Sequence, residues 1–335
     1  MKVLLNCHLP FLLAHGGTQV QIEQTKAALE HIGVEVEYLR WWDESQTGDI
    51  LHHVGWLPCE LIELAHRKGW KVAMTILLTE TCNRTERELF ARKLMVRGAL
   101  GGPLPKKWKQ RLQWQAYHDS DMMIVGLEVE RRIVEDVYGV AKERVAVVPL
   151  GLSEAFLKTG PAARTSEHLI CTGTIGPSKN SLELAGYAAE AKVPLLFVGK
   201  PFDYGSDYWK QFEKLVDGKI VKHLPHVGSA AELIALLQQA RGYVLMSKFE
   251  NWSLAAHEAA ACGLPMLLPD QPWARERFGA VASFFPKPGR GSAADALKAF
   301  FDKCPTLPAP NLKLQSWVEV AELLRTVYEQ LLRTR

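Results

Sequence analysis

Two carboxylates, Glu250 and Glu258, stand in an otherwise apolar, small-residue run, KFENWSLAAHEAAACG, over 248–263. A buried carboxylate is costly unless it is paired or hydrogen-bonded. On one continuous helix the two would lie about 80° apart in projection and need not share a face. Ser253 is a good N-cap, which puts Glu250 in the loop before a helix and Glu258 inside it. Two readings stand at this point. Either the pair bonds to protein donors such as helix N–H groups, or it faces a cleft and holds a ligand rich in hydroxyls.

Other residues that could do chemistry are fewer. Asp119-Ser120-Asp121 spells Asp-x-Asp, a metal-binding pattern, but it precedes an apolar run at 122–125 instead of ending one. It reads as a helix end and strand entry, and no metal site is expected. The six cysteines, at 7, 59, 82, 171, 262 and 304, form no Cys-x-x-Cys, which argues against a zinc knuckle or redox pair. His52 and His53 end another apolar run. Either could enter a cleft; the plain alternative is one buried and one solvated.

The elements that must position these residues follow from periodicity and turn chemistry. Lys2 to Asn6 reads as a buried strand, His15-Gly16-Gly17-Thr18 as a glycine loop, and Val20, Ile22, Ala27, Ala28, Leu29 and Ile32 as the apolar face of a helix stopped by Gly33. Val34 to Leu39 is a second strand, which completes a βαβ unit. Further strands are expected at 49–54, 71–78, 122–125 and 145–149. A Thr, Gly and Pro-bearing stretch, TGPAARTSE at 159–167, has linker composition. A second α/β series begins at 168, with a loop over 173–180, helices at 181–191 and 230–240, strands at 194–199, 220–224, 242–246 and 265–268, and a closing helix at 314–332. Two successive Rossmann-like halves result, and two such sheets facing each other make a cleft at the carboxyl ends of their strands. The expected division is 1–158, 159–318 and a C-terminal helix over 319–335 that returns to the first domain.

Composition is ordinary for such a chain. It has 335 residues, 47% of them apolar, and 40 Lys and Arg against 37 Asp and Glu for a net charge of +3. That balance argues against a general nucleic-acid binder and permits a local basic patch. The N-terminal apolar stretch is too short for a signal peptide, and no run approaches the ~18 apolar residues of a membrane span. The cytoplasm is the expected compartment.

The chain resembles the retaining GT-B glycosyltransferases of the group 1, family 4 type, which include polysaccharide, lipopolysaccharide and phosphatidylinositol mannosyltransferases. Gly16-Gly17 before an amphipathic helix looks like the family's N-terminal glycine loop. VVPLGL at 147–152 looks like its domain-end motif, with Leu150 in place of Asn. GTIGPSKN at 173–180 looks like its G-R-L-x-P-x-K-N loop, Val227 stands near its G-x-V beside the nucleotide base, and 247–263 looks like its paired-glutamate E-x7-E motif. The resemblance spans most of the chain. It implies that Glu250 binds hydroxyls of a donor sugar and Glu258 the ribose hydroxyls of a nucleotide. Backbone N–H groups of Asn251, Trp252, Ser253 and Leu254 would meet the diphosphate, Lys179 would add a point charge, and Gly16 and Gly17 would allow close approach from the other domain. Donor contacts are thus expected at Gly16, Gly17, Thr174, Lys179, Val227, Glu250 to Leu254 and Glu258, with Lys179 and Glu250 also catalytic. No cofactor is implied beyond the nucleotide sugar as co-substrate, and the transfer needs leaving-group stabilisation more than a nucleophile or a metal.

Besides Leu150, the chain departs from the family at two single positions and one segment. Thr174 stands where relatives carry an arginine, and Lys200 is the nearby substitute. Leu77 stands where relatives often carry a histidine near the transferred sugar. Asn251-Trp252-Ser253 replaces Gly-Phe-Gly, with Trp252 read as core in preference to a pocket wall. On the acceptor side, RKLMVRGALGGPLPKKWKQR at 92–111 holds seven basic residues and no acid. It reads as a solvated loop between two helical pieces or as an acceptor and anionic-membrane patch, with Trp108 suited to an interface. The acceptor implied is a glycan or a lipid-linked, lipopolysaccharide or polysaccharide precursor. The competing classes are a UDP-sugar 2-epimerase on the same fold and a non-catalytic sugar-nucleotide-binding protein.

Overall fold

The computed structural model describes residues 1–7, 16–78, 80–103, 105, 108, 112–161, 163–287 and 289–333. The chain divides into two compact units, Met1–Gly151 with Gln315–Arg335, and Leu152–Leu314. Each is built on a six-stranded parallel sheet.

In the first unit the strands are β1 (Lys2–Cys7), β2 (Glu35–Tyr38), β3 (Ile50–Val54), β4 (Lys71–Thr75), β5 (Met122–Val125) and β6 (Val145–Val147), in the order β2-β1-β3-β4-β5-β6. Helices α1 (Gly17–His31), α2 (Cys59–Arg67), α3 (Glu86–Gly101), α4 (Gln113–Asp119) and α5 (Glu128–Asp136) connect them. Parallel strands covered on both faces read as continuous apolar runs without alternation. This corrects the expectation for the two histidines: every residue of β3 is buried, His52 and His53 included. His52 Nδ1 lies 2.6 Å from the Tyr328 hydroxyl and its Nε2 2.7 Å from Thr75 Oγ1, while His53 Nδ1 is 2.8 Å from Asn6 Nδ2.

The order of strands reverses between β1 and β3, so the first unit has its switch point where the Gly16 loop leaves β1. Gly16 sits at φ 149°, a conformation that favours glycine, and caps α1. Residues 8–15, with His15, lie outside the described ones.

In the second unit the strands are β7 (Leu169–Thr172), β8 (Leu195–Val198), β9 (Val221–Leu224), β10 (Gly242–Val244), β11 (Met266–Leu268) and β12 (Ser283–Phe284). Their order, β12-β11-β10-β7-β8-β9, is that of a dinucleotide-binding sheet, with the switch point between β7 and β10. The helices are α6 (Glu154–Leu157), α7 (Ser181–Ala191), α8 (Asp207–Leu215), α9 (Ala230–Gln239), α10 (Leu254–Ala261), α11 (Pro272–Phe278) and α12 (Ala293–Lys303).

The last helix, α13 (Trp317–Arg333), belongs to the first unit and packs on α1. Its buried residues, Trp317, Val320, Ala321, Leu324, Val327, Tyr328 and Leu331, recur at three- and four-residue steps, the pattern of one apolar face. Ser316 and Glu319 close a reciprocal cap at its start: Glu319 N donates to Ser316 Oγ, and Ser316 N to Glu319 Oε2.

The units divide at Gly151/Leu152 and Leu314/Gln315, where the sequence suggested 158/159 and 318/319. The expected linker at 159–167 is instead pinned to the second unit. Arg164 N and Ser166 N donate to Gln238 O and Gln239 O at 2.9 Å, and the Arg164 guanidinium reaches Gly263 O and Leu307 O. Composition marked a linker; one arginine with carbonyl partners on two sides holds it to the second unit.

Candidate functional site

The site is built where two neighbouring strands release their chains. β7 and β10 pair in parallel, so the loops that follow them leave the same edge of the sheet side by side. The first loop, Gly173–Asn180, ends in a 3-10 turn (Pro177–Lys179) closed by Asn180 in the left-handed region, and α7 starts directly after it. The second loop runs from Leu245 to the cap of α10. Lys248 N donates to Ser178 O at 2.8 Å, which ties the loops together. Across this tie the Lys179 ammonium and the Glu250 carboxylate form an ion pair. Glu250 is buried and Lys179 half-buried. The two expected catalytic residues, 71 positions apart in sequence, are therefore partners.

Tight backbone packing supports the first loop from its other side. An added Cβ on Gly199, at φ 147°, would stand 2.0 Å from Gly173 O. Only glycine lets the turn after β8 come this close. Ile175 N donates to Lys200 O at 2.9 Å, so the backbone of Lys200 runs beside Thr174. The Lys200 side chain is exposed and Thr174 is half-buried.

The second loop is held from the α11 side. Gln271 Nε2 donates to Ser247 O at 3.0 Å and to Lys248 O at 2.7 Å, and Trp273 Nε1 fixes Gln271 by donating to its Oε1. Ser253 caps α10, its hydroxyl accepting from Ala256 N at 3.3 Å. The first N–H groups of a helix have no partner within it, so Leu254 and its neighbours present donors at the end where α10 is electropositive.

Trp252 is buried, in keeping with its reading as core. Its ring stacks on His257, centroids 4.4 Å apart and planes within 2°, and the Arg277 guanidinium lies 4.6 Å from its centroid. His257 Nδ1 is 2.7 Å from Ser253 O, so Nδ1 carries the proton. Burial holds the His257 imidazole far below its usual range, at about 3. The stack therefore braces the peptide between Glu250 and the helix start with a neutral ring. Ser247 Oγ is buried and, among the described residues, has no hydrogen-bond partner.

Glu258 lies within α10 and is half-buried. Removal from water is the one cause acting on its carboxyl and pushes it up to about 7. Of the two readings of the glutamates, Glu250 has found a protein cation, whereas no hydrogen bond or ion pair fixes Glu258 among the described residues.

The remaining expected residues lie on other elements. Val227 lies half-buried in the loop after β9, the edge strand two places from β7. Gly16 and Gly17 are in the first unit, and Leu77 is half-buried just beyond β4. Asp121 accepts from Val72 N and meets His66 Nε2 at 2.8 Å, which fixes it as the bracket between β4 and α2. Asp119 accepts from Gln115.

In the basic stretch, α3 continues to Gly101, and Lys106, Lys107, Lys109, Arg111 and Leu104 lie outside the described residues. Arg92 is turned inward, donating to the Tyr138 hydroxyl at 3.0 Å, and so leaves the patch. Trp108 is exposed. Gln271, His257 and Arg277 were not singled out in the sequence. Gln271 alone had a signal, since it follows a strand at the same carboxyl edge.

No protein-family model matches the sequence, and no curated protein matches it. Solved structures do resemble it. AviGT4, a glycosyltransferase involved in avilamycin A biosynthesis, is 17% identical with a TM-score of 0.63, over 100% of this chain and 98% of that one. Sucrose-phosphate synthase from Thermosynechococcus elongatus is 15% identical with a TM-score of 0.68, over the whole of both chains. Anabaena HepE, solved in complex with UDP and glucose, is 13% identical with a TM-score of 0.67, over 98% of this chain and 99% of that one. The α/β architecture of two parallel six-stranded sheets is thus the GT-B fold of these glycosyltransferases.

Proposed function

We propose that this chain is a glycosyltransferase that moves a sugar from a nucleotide-diphosphate sugar to a glycan or lipid-linked acceptor, with retention of configuration and without a metal, in polysaccharide or lipopolysaccharide assembly. The observation that carries the reading is the Lys179–Glu250 pair at the switch point between β7 and β10, beside the start of α10. Ligands of open α/β sheets bind at such a point. The fold shared with HepE makes UDP and UDP-glucose the first ligands to test.

In this reading the donor diphosphate lies against Lys179 and the N–H groups of Asn251 to Leu254. Negative charge grows on the leaving diphosphate as the sugar departs. An ammonium and helix-start donors already aimed there lower the barrier without reorganisation, by several kcal/mol in comparable sites. Glu250 then exchanges part of its contact with Lys179 for hydroxyls of the sugar, and Glu258 accepts from the ribose. Thr174 supplies a hydroxyl where an arginine would supply a fork of donors, so Lys179, with Lys200 beside it, carries the positive charge in this loop. Val227 flanks the base, and Gly16 and Gly17 admit the donor from the first unit. A phosphate oxygen of the leaving group takes the acceptor's proton.

The experiment is a thermal-shift panel of UDP, GDP, ADP and their sugar conjugates, followed by turnover with EDTA and by NMR of the product anomer. Stabilisation by one nucleotide family, turnover that persists in EDTA and an unchanged anomeric configuration support the proposal. No stabilisation by any of them discards it. Binding without turnover against any glycan acceptor leaves a sugar-nucleotide-binding protein.

We further propose that acceptor access takes place at a membrane surface on the cytoplasmic side. Phe90, Leu94 and Met95 are exposed on α3, flanked by Arg87 and Arg97, and the basic run 106–111 follows in sequence. Such a face suits an anionic headgroup layer.

A further inference from the structure

The most exposed aromatic side chain among the described residues of the first unit, Trp42, lies beside Trp41 in a loop to which none of the roles above extends. After β2 the chain reads Glu37-Tyr38-Leu39-Arg40-Trp41-Trp42-Asp43-Glu44-Ser45-Gln46. Trp41 is 56% exposed and Trp42 83%. An indole left in water on a soluble surface forgoes ~2 kcal/mol of burial, and two adjacent ones on one loop ask for a reason.

The loop that carries them is not slack. Gln46 is buried, accepts from Arg40 N at 2.8 Å, and donates to Glu37 Oε2 at 2.9 Å and to Tyr38 O at 3.0 Å. Arg40 bridges Glu37 and Asp43, both at 2.9 Å. Asp43 Oδ1 accepts from Ser45 N and Ser45 Oγ, and the backbone closes with Asp43 N to Arg40 O and Gln46 N to Asp43 O. The polar side chains thus fix the loop from within while both indoles stay outside. It is a rigid mount for aromatic faces, set one strand from the switch point of the first unit, at the carboxyl edge where ligands of such sheets bind.

Charge selects the occupant. From 37 to 46 there are three carboxylates and one guanidinium. Glu37 is held down to about 2, chiefly by its bond to Lys2, and Asp43 is held low by Ser45 and Arg40, so both stay ionised at any physiological pH. Arg40, the one cation of the loop, is already paired with Glu37 and Asp43, so the loop offers an anionic headgroup layer no free cation. A neutral oligosaccharide fits: its polarised C–H face meets the electron-rich face of an indole, and its hydroxyls donate to carboxylates.

We propose that the Trp41–Trp42 loop is a glycan-binding subsite in which a pyranose ring of a neutral oligosaccharide stacks on the exposed indoles, with Asp43 and Glu44 accepting from its hydroxyls. It deepens the proposed function by locating a grip for the glycan acceptor, and it rests on that reading only for the word acceptor.

The full chain and its Trp41→Ala, Trp42→Ala and doubly substituted variants are applied to an array of neutral and acidic oligosaccharides, with UDP thermal shift and vesicle co-sedimentation run in parallel. Wild type retains neutral oligosaccharides, and each ring removed weakens them roughly tenfold, with Trp42→Phe restoring part of the loss and the UDP shift unchanged. The proposal is overturned if wild type retains no neutral oligosaccharide or if the double variant retains the same set equally well. It is also overturned if the double variant keeps its glycans and loses only vesicle binding. A lost UDP shift in wild type with Trp-dependent glycan binding intact rejects the proposed transferase and leaves this subsite standing.

Discussion

Glu258 is the residue whose environment makes the sharpest demand. Burial raises its carboxyl to about 7, so between its ordinary value near 4.5 and about 7 the folded chain holds a proton that the unfolded chain has released. Stability therefore falls as pH rises through that window, and the penalty is complete above about 7. Glu258→Gln is expected to raise the thermal midpoint at pH 8, by an amount equivalent to about 1–3 kcal/mol, and to change it little at pH 4.5. The same variant is expected to weaken nucleotide binding, and wild-type affinity should climb from pH 6 to pH 8 as the carboxylate forms. Melting curves and calorimetric titrations at the two ends of the range check both; an affinity indifferent to Glu258→Gln removes the ribose role. For the pair, Glu250→Gln is expected to depress turnover while the nucleoside diphosphate still binds, and Lys179→Ala to cost more with the diphosphate than with the free nucleoside, roughly tenfold for one charged contact. The segments that carry these residues were legible in the sequence, from a cap at Ser253 and a glycine- and proline-bearing loop at 173–180, whereas the pairing of Lys179 with Glu250, 71 positions apart, was not. Gln271 and Arg277 were not, because what they touch lies about 20 residues away across a neighbouring loop, and no periodicity records that.

At the scale of elements, most strands were readable from apolar runs and stop residues, the short β12 and the helices α8, α11 and α12 were not, and the histidines of β3 show where such reading fails. A period-of-two argument turns one of two adjacent residues to solvent, but a central parallel strand is covered on both faces, and burial of both His52 and His53 follows from the sheet order alone. The cost of His52 is met by α13, whose Tyr328 hydroxyl contacts its Nδ1. Burial depresses the His52 imidazole to about 3, as it does His257. An unfolded histidine binds its proton below about 6.5, so the stability tied to these neutral rings is fully present above that value and is lost as pH falls toward 3. Tyr328→Phe leaves a buried ring nitrogen without its partner and is expected to cost about 1–3 kcal/mol. Leu324→Ala, which leaves a cavity under the same helix, is expected to cost about 2–5 kcal/mol. Both losses belong to the first unit. Hydrogen exchange should therefore quicken in β1, β3 and α1 and stay unchanged in the strands of the second unit; equal loosening of both units would contradict this assignment.

Over the whole molecule the charge nearly cancels, 40 cationic against 37 anionic side chains, so any attraction to an anionic surface has to be local. Two loops of the first unit differ in this respect. The Trp41–Trp42 loop is acidic, whereas α3 and the run after it are basic. On α3 Phe90, Ala91, Leu94, Met95 and Gly98 are exposed together with Arg87 and Arg97, with Glu86 and Glu88 in the first turn and Val96 on the buried side. Exposed apolar side chains among cations suit a headgroup layer, the apolar groups entering it while the cations meet lipid phosphates, at about 1 kcal/mol for each Lys or Arg close to the surface. None of the helices among the described residues is long and apolar enough to cross a bilayer, so an association of this kind is reversible and screened by salt. Co-sedimentation with anionic vesicles is expected at low ionic strength and to fall away in high salt. Phe90→Ser with Leu94→Ser should abolish it at every salt concentration, since it removes the inserted apolar groups. Replacing Lys106, Lys107, Lys109 and Arg111 by Ser should instead weaken it and flatten its dependence on salt. Equal binding to neutral and anionic vesicles at low salt, or no effect of either set of substitutions, would place the acceptor in solution as a free glycan and leave α3 with an exposed face that lipid does not cover.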